Sequence, residues 1–424
     1  MKTFACSAFL LALGPVFGAL GCSSDDSGTG DPSSTNGGSG GSSEGGGGGQ
    51  AGETGATEGP DLEEETYGGD DPRIRYTGRV DFGVRETPRF SLPGTTVTVR
   101  FKGTGITVHL RDQFKYSTER SFYDAMIDGE RVAIIAPELR VTDYEITHDL
   151  EYGEHTLVLV KRTQASLGYG IFQGVTVTGE LLEPPAEAER RMIFIGDSIS
   201  AGEGSEAMNN SPECGEDAYH EPGGWGQPYQ NANAAFGPVL ARSFDADYHV
   251  VAVSGIGLVR NYSSMYDTRP MPEVYDLLFL ENETSPEWDH SQFEPDAIVV
   301  ALGTNDFSPG DDDRDPALDL DEYTAAYIEF VDKLLGYHPD AHVFAMTSHM
   351  LGDGWPDPSD MSATNLNTAI EMVVAHYEDA GSDQVHELRV RKVTGQGCGT
   401  HMTAEQQATL AEEMRPIVEE AMGW

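Results

Sequence analysis

Ser198 is placed where a serine can act as a nucleophile. It follows the apolar run 192–195 and the turn residues Gly196 and Asp197. Short apolar runs bounded by glycine are typical of buried strands, and open α/β sheets bind their ligands beyond the carboxyl ends of the strands. A serine hydroxyl is a weak nucleophile until a base removes its proton. Acyl transfer by Ser198 would therefore need a base and an oxyanion site elsewhere in the chain.

Three later features offer these groups. Gly255, in Ser254-Gly255-Ile256-Gly257, follows a second apolar run, and glycine there allows the backbone to approach a ligand and present its N–H. Asn305, in Gly303-Thr304-Asn305-Asp306, follows a third run and carries an amide donor. His401 lies just before the predicted C-terminal helix and can serve as a general base.

Together these residues predict acyl transfer. Ser198 would attack a carbonyl and His401 would take its proton. The oxyanion would be bound by the N–H groups of Ser198 and Gly255 and by the amide of Asn305. Each feature alone has an ordinary structural explanation, as a turn, a tight connection, a helix cap or a surface histidine. Their occurrence in order, each at a predicted strand end or loop, favours catalysis.

Two acidic residues beside these features are interpreted as structural. We expect Asp197 to fix the turn before Ser198 through backbone hydrogen bonds rather than to transfer protons, and we expect Asp306 to be structural as well. The acidic stretch 311–315 lacks the spacing of an EF-hand, and no Cys/His spacing resembles a zinc site. The sequence therefore predicts no metal and no organic cofactor.

Two regions with different periodicities must position these residues. Residues 73–182 show short strands of period two, with turn residues about every ten positions, which predicts an all-β sandwich. Asp128-Gly129 between two apolar runs predicts a hairpin. After the proline-containing joint 183–187, residues 188–424 alternate apolar strands with amphipathic helices, which predicts a mostly parallel sheet with helices on both faces. The predicted strands are 96–101, 106–110, 155–160, 192–195, 248–253, 297–302, 342–347 and 386–393, and the predicted helices lie near 229–243, 321–336, 361–379 and 403–421.

The first 72 residues are predicted to lie outside both domains. Residues 1–21 combine Lys2 with an apolar run that is too short for a stable membrane span, as in a secretory signal. The signal ends at Cys22 and resembles that of a bacterial lipoprotein anchored to the outer membrane. Ordinary secretion with an incidental Cys22 is the alternative. Residues 22–72 are rich in Gly, Ser and acidic residues and contain no Lys or Arg, which predicts a disordered tether.

Net charge limits the classes of binding partner, and the cysteines bear on the compartment of the protein. The formal net charge is −45, which argues against nucleic acid, because proteins bind phosphates through Lys and Arg. Neutral ligands are easier to reconcile with such a surface. Cys214 and Cys398 remain after the signal region, and disulfides persist in exported proteins. A Cys214–Cys398 bridge is therefore plausible, and two free buried thiols are the alternative.

The order of the motifs resembles that of the SGNH (GDSL-type) hydrolases. Gly196-Asp197-Ser198, Gly255, Gly303-x-Asn305-Asp306 and His401 correspond, in order, to the four sequence blocks of that superfamily. A β-sandwich directly before such a domain is similar to carbohydrate esterase family 2. The resemblance implies a jelly roll followed by a flavodoxin-like three-layer α/β/α domain. It also implies removal of acetyl groups from plant polysaccharides such as xylan or glucomannan.

One position departs from the wider superfamily. Many SGNH enzymes carry an aspartate three residues before the histidine, where this chain has Cys398. Family 2 esterases often lack that acid. The resemblance therefore implies a Ser–His dyad in which a backbone carbonyl orients the imidazole of His401. It leaves the third group of the site unidentified.

The sequence as a whole predicts an exported serine esterase, lipid-anchored or secreted. Its partner would be an acetylated polysaccharide or oligosaccharide, attacked through an acyl-serine intermediate. Trp225 and Trp355, in predicted loops, could stack on a sugar face, although packed surface tryptophans are an equal alternative. A lipid or peptidoglycan esterase of the same superfamily is a second interpretation. A non-catalytic glycan-binding lipoprotein is the third, and the intact site residues argue against it.

Overall fold

The fold is that of a computed structural model. The structure describes residues 62–84, 86–114, 120–211, 214, 227–262, 269–280, 284–308, 318–354 and 358–424. The predictions on residues 1–21, Cys22, Trp225, Trp355 and 311–315 lie outside these ranges. All the described residues belong to one unit, Gly59–Trp424.

Antiparallel strands build the first domain, which is mostly β as predicted. The long fourth strand is shared: its first half pairs with β2 and β8, and its second half pairs with β7 and β9. Strand β5 joins β8 to β6, and β9 also pairs with β1 and β3. The strands are β1 (Glu64–Gly68), β2 (Ile74–Thr77), β3 (Arg89–Phe90), β4 (Thr96–Phe114), β5 (Tyr123–Ile127), β6 (Glu130–Ile135), β7 (Asp143–Thr147), β8 (Gly153–Lys161) and β9 (Gly168–Leu181).

Strand β4 changes its buried side at Gly103-Thr104-Gly105. Before this point the odd-numbered apolar residues face the core, and after it the even-numbered ones do. A register shift against β9 between Gly103 and Gly105 causes the change, as a β-bulge does. A Cβ on Gly103 would lie 2.0 Å from the Thr178 carbonyl oxygen, so this position requires glycine. The sequence predicts two separate strands here; the structure has one, because the bulge reverses the pattern without ending the ladder.

The predicted tether extends too far toward the domain. Strand β1 lies inside residues 22–72 and pairs with β9, so the prediction of disorder is wrong for its residues. Tyr67 is buried in the core of the β domain, and Arg73 lies over its ring at 4.8 Å. The acidic composition of β1 resembles that of the tether, and its acidic side chains are exposed in the structure. The strand is stabilised by the one buried tyrosine and by the hydrogen bonds with β9, which composition does not reveal.

A five-stranded parallel sheet with flanking helices forms the second domain, as predicted. Its strand order is β11-β10-β12-β13-β14, and every pairing is parallel. The strands are β10 (Arg190–Gly196), β11 (Ala246–Ala252), β12 (Ala297–Ala301), β13 (His342–Met346) and β14 (Val385–Leu388). The helices are α1 (Phe236–Ser243), α2 (Met271–Val274), α3 (Thr304–Phe307), α4 (Leu320–Tyr337), α5 (Ser362–Asp379) and α6 (Ala404–Met422). None of the helices in the described ranges is long and apolar enough to cross a membrane.

The interior strand β10, between β11 and β12, has a core on each face. Ile193 and Ile195 pack in the cluster that contains α4 and α5, whereas Met192 and Phe194 pack in the cluster that contains α1 and α6. Alternating side chains of one strand therefore serve two helical layers, which is why the run is continuously apolar. The hairpin at Asp128-Gly129 is confirmed between β5 and β6, with both residues at positive φ.

Helix α1 begins later than predicted. The sequence suggests a helix from about residue 229, but the α-helix starts at Phe236. The residues before it form a short 3-10 turn, Ala232–Ala234, and Asn231 and Asn233 direct their side chains to Asp124 of the β domain. The contact between domains therefore replaces the first helical turns. Similarly, β14 ends at Leu388, because the Val390 N–H donates to the Thr347 hydroxyl instead of continuing the ladder.

Candidate active site

The strand order brings three turns to one place. Strand β10 lies between β11 and β12, so the turns that follow these three parallel strands meet at the same edge of the sheet. Ser198 follows β10, Gly255 follows β11, and Asn305 lies in α3 directly after β12. This is the position at which open α/β sheets bind ligands.

Ser198 and His401 are in direct contact. The Ser198 Oγ lies 2.8 Å from His401 Nε2, and His401 Nδ1 lies 3.3 Å from the backbone carbonyl oxygen of Cys398. A carbonyl oxygen only accepts, so the hydrogen belongs on Nδ1 and Nε2 is left to accept from the serine hydroxyl. Ser198 is 9% exposed, which leaves its hydroxyl at the surface of an otherwise buried turn.

The loop that carries His401 is fixed at several points. The Cys398 N–H lies 3.0 Å from the Gly204 carbonyl oxygen and 3.1 Å from that of Ala207, both in the segment after Ser198. Cys398 also forms a disulfide with Cys214, with a Cα–Cα distance of 5.2 Å. The carbonyl that orients His401 is therefore held by the same segment that carries the nucleophile.

Two backbone N–H groups of the site turns are available to donate a hydrogen bond. In the described part of the chain, neither the Ser198 N–H nor the Gly255 N–H has a hydrogen-bond acceptor. Gly255 has φ of 79°, a conformation that glycine adopts without strain. Asn305 differs, because its Nδ2 donates to the Ile256 carbonyl at 2.8 Å and to Asp197 Oδ2 at 3.2 Å. The amide is at the site but already has acceptors for both of its hydrogens.

Asp306 fastens the chain that follows the Gly255 turn. Its carboxylate accepts the backbone N–H groups of Leu258, Val259 and Arg260 at 2.7 to 3.1 Å. The residue is fully buried, and burial raises the pKa of its carboxyl group. Three backbone donors and no solvent access suit a structural residue and give Asp306 no path to a substrate.

Asp197 joins the nucleophile turn to Asn305. Its Oδ1 accepts the Ile199 N–H at 3.0 Å and its Oδ2 accepts from Asn305. Burial, with smaller effects from Asp306 and Glu203, raises the pKa of the Asp197 carboxyl group to about 7. The contacts are those of a residue that shapes the turn.

Asp197 should give protein stability a measurable pH dependence. Its pKa rises from 3.8 in the unfolded chain to about 7 in the fold. Between these values the folded protein holds a proton that the unfolded chain has released, so the free energy of unfolding falls as pH rises. We expect Asp197→Asn to flatten the fall in melting temperature between about pH 4 and about pH 7. Exposed Asp340→Asn is the control, and equal slopes in wild type and Asp197→Asn would contradict the assignment.

Sequence reasoning missed three residues around the site. Gln164 of the β domain accepts the Ser254 N–H through its Oε1 at 2.7 Å, and Glu203 accepts the Ser254 hydroxyl. His349 is fully buried, and burial together with nearby His401 lowers the pKa of its imidazole to about 3. No local pattern marks these positions, because each contact joins segments that are distant in the sequence. The described residues contain no group of three or more His, Cys, Asp or Glu placed to hold a metal ion.

Both domains match known families. Residues 76–185 match the carbohydrate esterase 2 N-terminal family, and residues 194–408, half of the chain, match the GDSL-like lipase/acylhydrolase family. An acetylxylan esterase / glucomannan deacetylase of Cellvibrio japonicus (strain Ueda107) is similar, with 27% identity over 365 residues that cover 85% of this chain and 92% of the relative.

Solved structures are similar over the same extent. A carbohydrate esterase family 2 enzyme with a carbohydrate-binding domain from Corynascus thermopiles (Myceliophthora fergusii) is 31% identical, with a TM-score of 0.71, over 83% of this chain and 100% of that one. A family two carbohydrate esterase from Clostridium thermocellum in complex with cellohexaose is 27% identical, also with a TM-score of 0.71, over 83% and 99%. The chain therefore belongs to the GDSL-like lipase/acylhydrolase family and, with its β domain, to carbohydrate esterase family 2.

Proposed function

We propose that this protein removes O-acetyl groups from polysaccharides or oligosaccharides of the xylan or glucomannan type through a Ser198–His401 dyad. Family membership makes the chain a carboxylic ester hydrolase of the carbohydrate acetylesterase class. The observation that carries the dyad is the 2.8 Å contact between Ser198 Oγ and His401 Nε2, with a backbone carbonyl rather than a carboxylate at His401 Nδ1.

The reaction would proceed in two steps. Ser198 Oγ attacks the acetyl carbonyl while His401 Nε2 takes the hydroxyl proton, which forms a tetrahedral oxyanion beside the N–H groups of Ser198 and Gly255. His401 then gives its proton to the sugar oxygen as the bond between that oxygen and the acetyl carbon breaks, which releases the sugar hydroxyl and leaves acetyl-Ser198. A water molecule attacks that ester with His401 again as base, and acetate departs as Ser198 recovers its proton. The Cys398 carbonyl would accept from Nδ1 throughout and stabilise the imidazolium.

The substrate class is supported by the relatives and by charge. One similar protein is named an acetylxylan esterase / glucomannan deacetylase, and another was solved with cellohexaose. The net charge of −45 disfavours polyanionic substrates, whereas neutral glycans carry no charge to repel. Stacking of Trp225 or Trp355 on a sugar ring remains part of the proposal.

Four finer predictions, on the fold and on the location of the enzyme, belong with this function. We propose a jelly-roll connectivity for the β domain and a flavodoxin-like class for the parallel sheet, both from the family resemblance. We also propose that the β domain extends from strand β1 at Glu64 to about residue 182 and that the α/β domain covers residues 188–424. Export with lipidation at Cys22, on the tether that precedes the β domain, would hold the enzyme near polymeric substrate outside the cell.

Acetate release tests the proposed function. The full chain, incubated with acetylated xylan and with acetylated glucomannan, should liberate acetate that an enzymatic or NMR assay measures. Ser198→Ala serves as the blank, since it keeps the fold and removes the nucleophile. Release from neither polymer by a folded preparation would overturn the substrate class. Undiminished release by the Ser198→Ala variant would overturn the acyl-serine route.

A further inference from the structure

We propose that Gln164 of the β domain is a positioning residue for the oxyanion site of the neighbouring α/β domain. The proposal rests on the proposed function, because it assigns the Gly255 N–H to the oxyanion. It goes further in making the β domain part of the catalytic machinery. Gln164 lies in the loop that joins β8 to β9, directly before the 3-10 turn Ala165–Leu167.

The contact is made one residue before the oxyanion donor. Gln164 Oε1 accepts the Ser254 N–H at 2.7 Å. The Gly255 N–H belongs to the next peptide unit, so its direction follows from the backbone angles of Ser254. Gly255 itself can adopt many angles, and its own conformation does not define where its N–H points. Fixing the Ser254 N–H therefore limits the directions that the Gly255 N–H can take.

Gln164 is itself held firmly. Its N–H donates to Gln230 Oε1 at 2.8 Å, and its carbonyl accepts from Lys161 Nζ at 3.1 Å. Lys161 is fully buried and also donates to the Thr163 carbonyl at 2.6 Å. The buried amino group of Lys161 donates to these two loop carbonyls and so fixes the backbone on which Gln164 stands.

The anchor extends into the second domain. Fully buried Arg162 donates from Nε to the Gln230 carbonyl and from Nη1 to buried Asp124, at 3.2 and 3.1 Å. The Ala232 N–H donates to the Arg162 carbonyl at 2.9 Å. The loop after β8 is thus tied to the segment before α1 at Arg162 and at Gln164 itself. Such support is what keeps an oxyanion donor in place while charge develops.

Loss of this support should affect the transition state more than substrate binding. The oxyanion exists only after attack, so a donor that has drifted lowers kcat and leaves KM nearly unchanged. The lost hydrogen bond is neutral, and the Gly255 N–H remains present. We therefore expect a fall in kcat of about tenfold, less than the 10²–10³ that follows outright removal of a donor.

The test compares two glutamine substitutions in the full chain. Gln164→Met keeps the length of the side chain and removes its acceptor. Gln384→Met is the matched control. Gln384 lies directly before β14, at the opposite edge of the sheet, and its side chain donates to the Pro339 and Ala341 carbonyls, which precede β13. With 4-nitrophenyl acetate as the probe, Gln164→Met should lower kcat about tenfold with KM within about twofold of wild type. Gln384→Met should change neither.

Five results separate the possibilities. Wild-type kcat in Gln164→Met would overturn this inference, and so would a loss that Gln384→Met shares in proportion to a lowered melting temperature. If the methionine variant does not fold, Gln164→Asn, which withdraws the oxygen by one methylene, should lower kcat at least about fivefold at constant KM. An unchanged kcat there would also overturn it. An inactive wild type, or an active Ser198→Ala variant, would instead be a failure of the proposed function.

Discussion

Replacing His401 with alanine should lower kcat for acetyl ester hydrolysis by about 10⁴-fold or more. Nε2 of His401 lies 2.8 Å from Ser198 Oγ, and in the described residues no other side chain shares a hydrogen bond with that hydroxyl. Without the imidazole the serine stays protonated at neutral pH, and the departing sugar oxygen has no proton donor. Both acylation and deacylation therefore lose the imidazole that transfers their protons.

The double variant tests whether Ser198 and His401 act as one unit. Ser198→Ala alone should cost as much as His401→Ala, and the combination should cost little more, because residues of one catalytic unit are not additive. Single-turnover and steady-state rates on an activated acetyl ester give the comparison. Exposed His376, in the last turn of α5, supplies the control variant His376→Ala, which should retain the wild-type rate. If the loss of kcat in the double variant equals the product of the two single losses, Ser198 and His401 act independently and the dyad is contradicted.

A backbone carbonyl at His401 Nδ1 stabilises the imidazolium less than a carboxylate would. A carboxylate there would stabilise the imidazolium by charge, whereas the Cys398 carbonyl, 3.3 Å away, supplies only a dipole. The rigid position of the Cys398 carbonyl compensates for this weaker stabilisation. The Cys398 N–H donates to the Gly204 and Ala207 carbonyls, and the Cys398 side chain is bonded to Cys214, so the residue that carries the acceptor is fixed before the substrate arrives.

Local sequence patterns were sufficient to predict the alternating strands and helices of the α/β domain. Strands β10, β12 and β13 contain continuous apolar runs because both faces of the sheet are covered by helices. The apolar residues of the segments between the strands follow the helical period rather than a period of two. Ser198, Gly255 and Asn305 were predictable as neighbours because parallel strands end at one edge. None of this required knowledge of the side-chain contacts.

What the sequence could not predict arises from contacts between distant segments. Strand β1 forms because β9 lies beside it, although its own composition resembles the tether. Helix α1 starts late because Asn231 and Asn233 contact Asp124 in the other domain. Gln164 reaches the Ser254 turn across 90 positions of sequence. A period or motif reports on one segment, so interactions of this kind leave no local signal.

Asn305→Ala should produce the second large effect, a loss of about 10²–10³ in kcat with KM little changed. The Nδ2 group has two hydrogens, one on the Ile256 carbonyl at 2.8 Å and one on Asp197 Oδ2 at 3.2 Å. The longer bond is the weaker one, so an oxyanion formed on the substrate can share that hydrogen in a bifurcated bond. The amide would then act in the transition state while still joining Asp197 to the turn.

A purely structural Asn305 would behave differently. Asn233 gives the matched comparison, since its Nδ2 also donates to a buried aspartate, Asp124, at 3.2 Å, but away from the nucleophile. Asn233→Ala should lower the melting temperature about as much as Asn305→Ala and leave kcat near the wild-type value. If both variants lose stability and neither loses kcat, Asn305 only ties Asp197 to the loop. The oxyanion would then be bound by the N–H groups of Ser198 and Gly255 alone. In that case the positioning of the Gly255 N–H by Gln164 would have a larger effect on kcat.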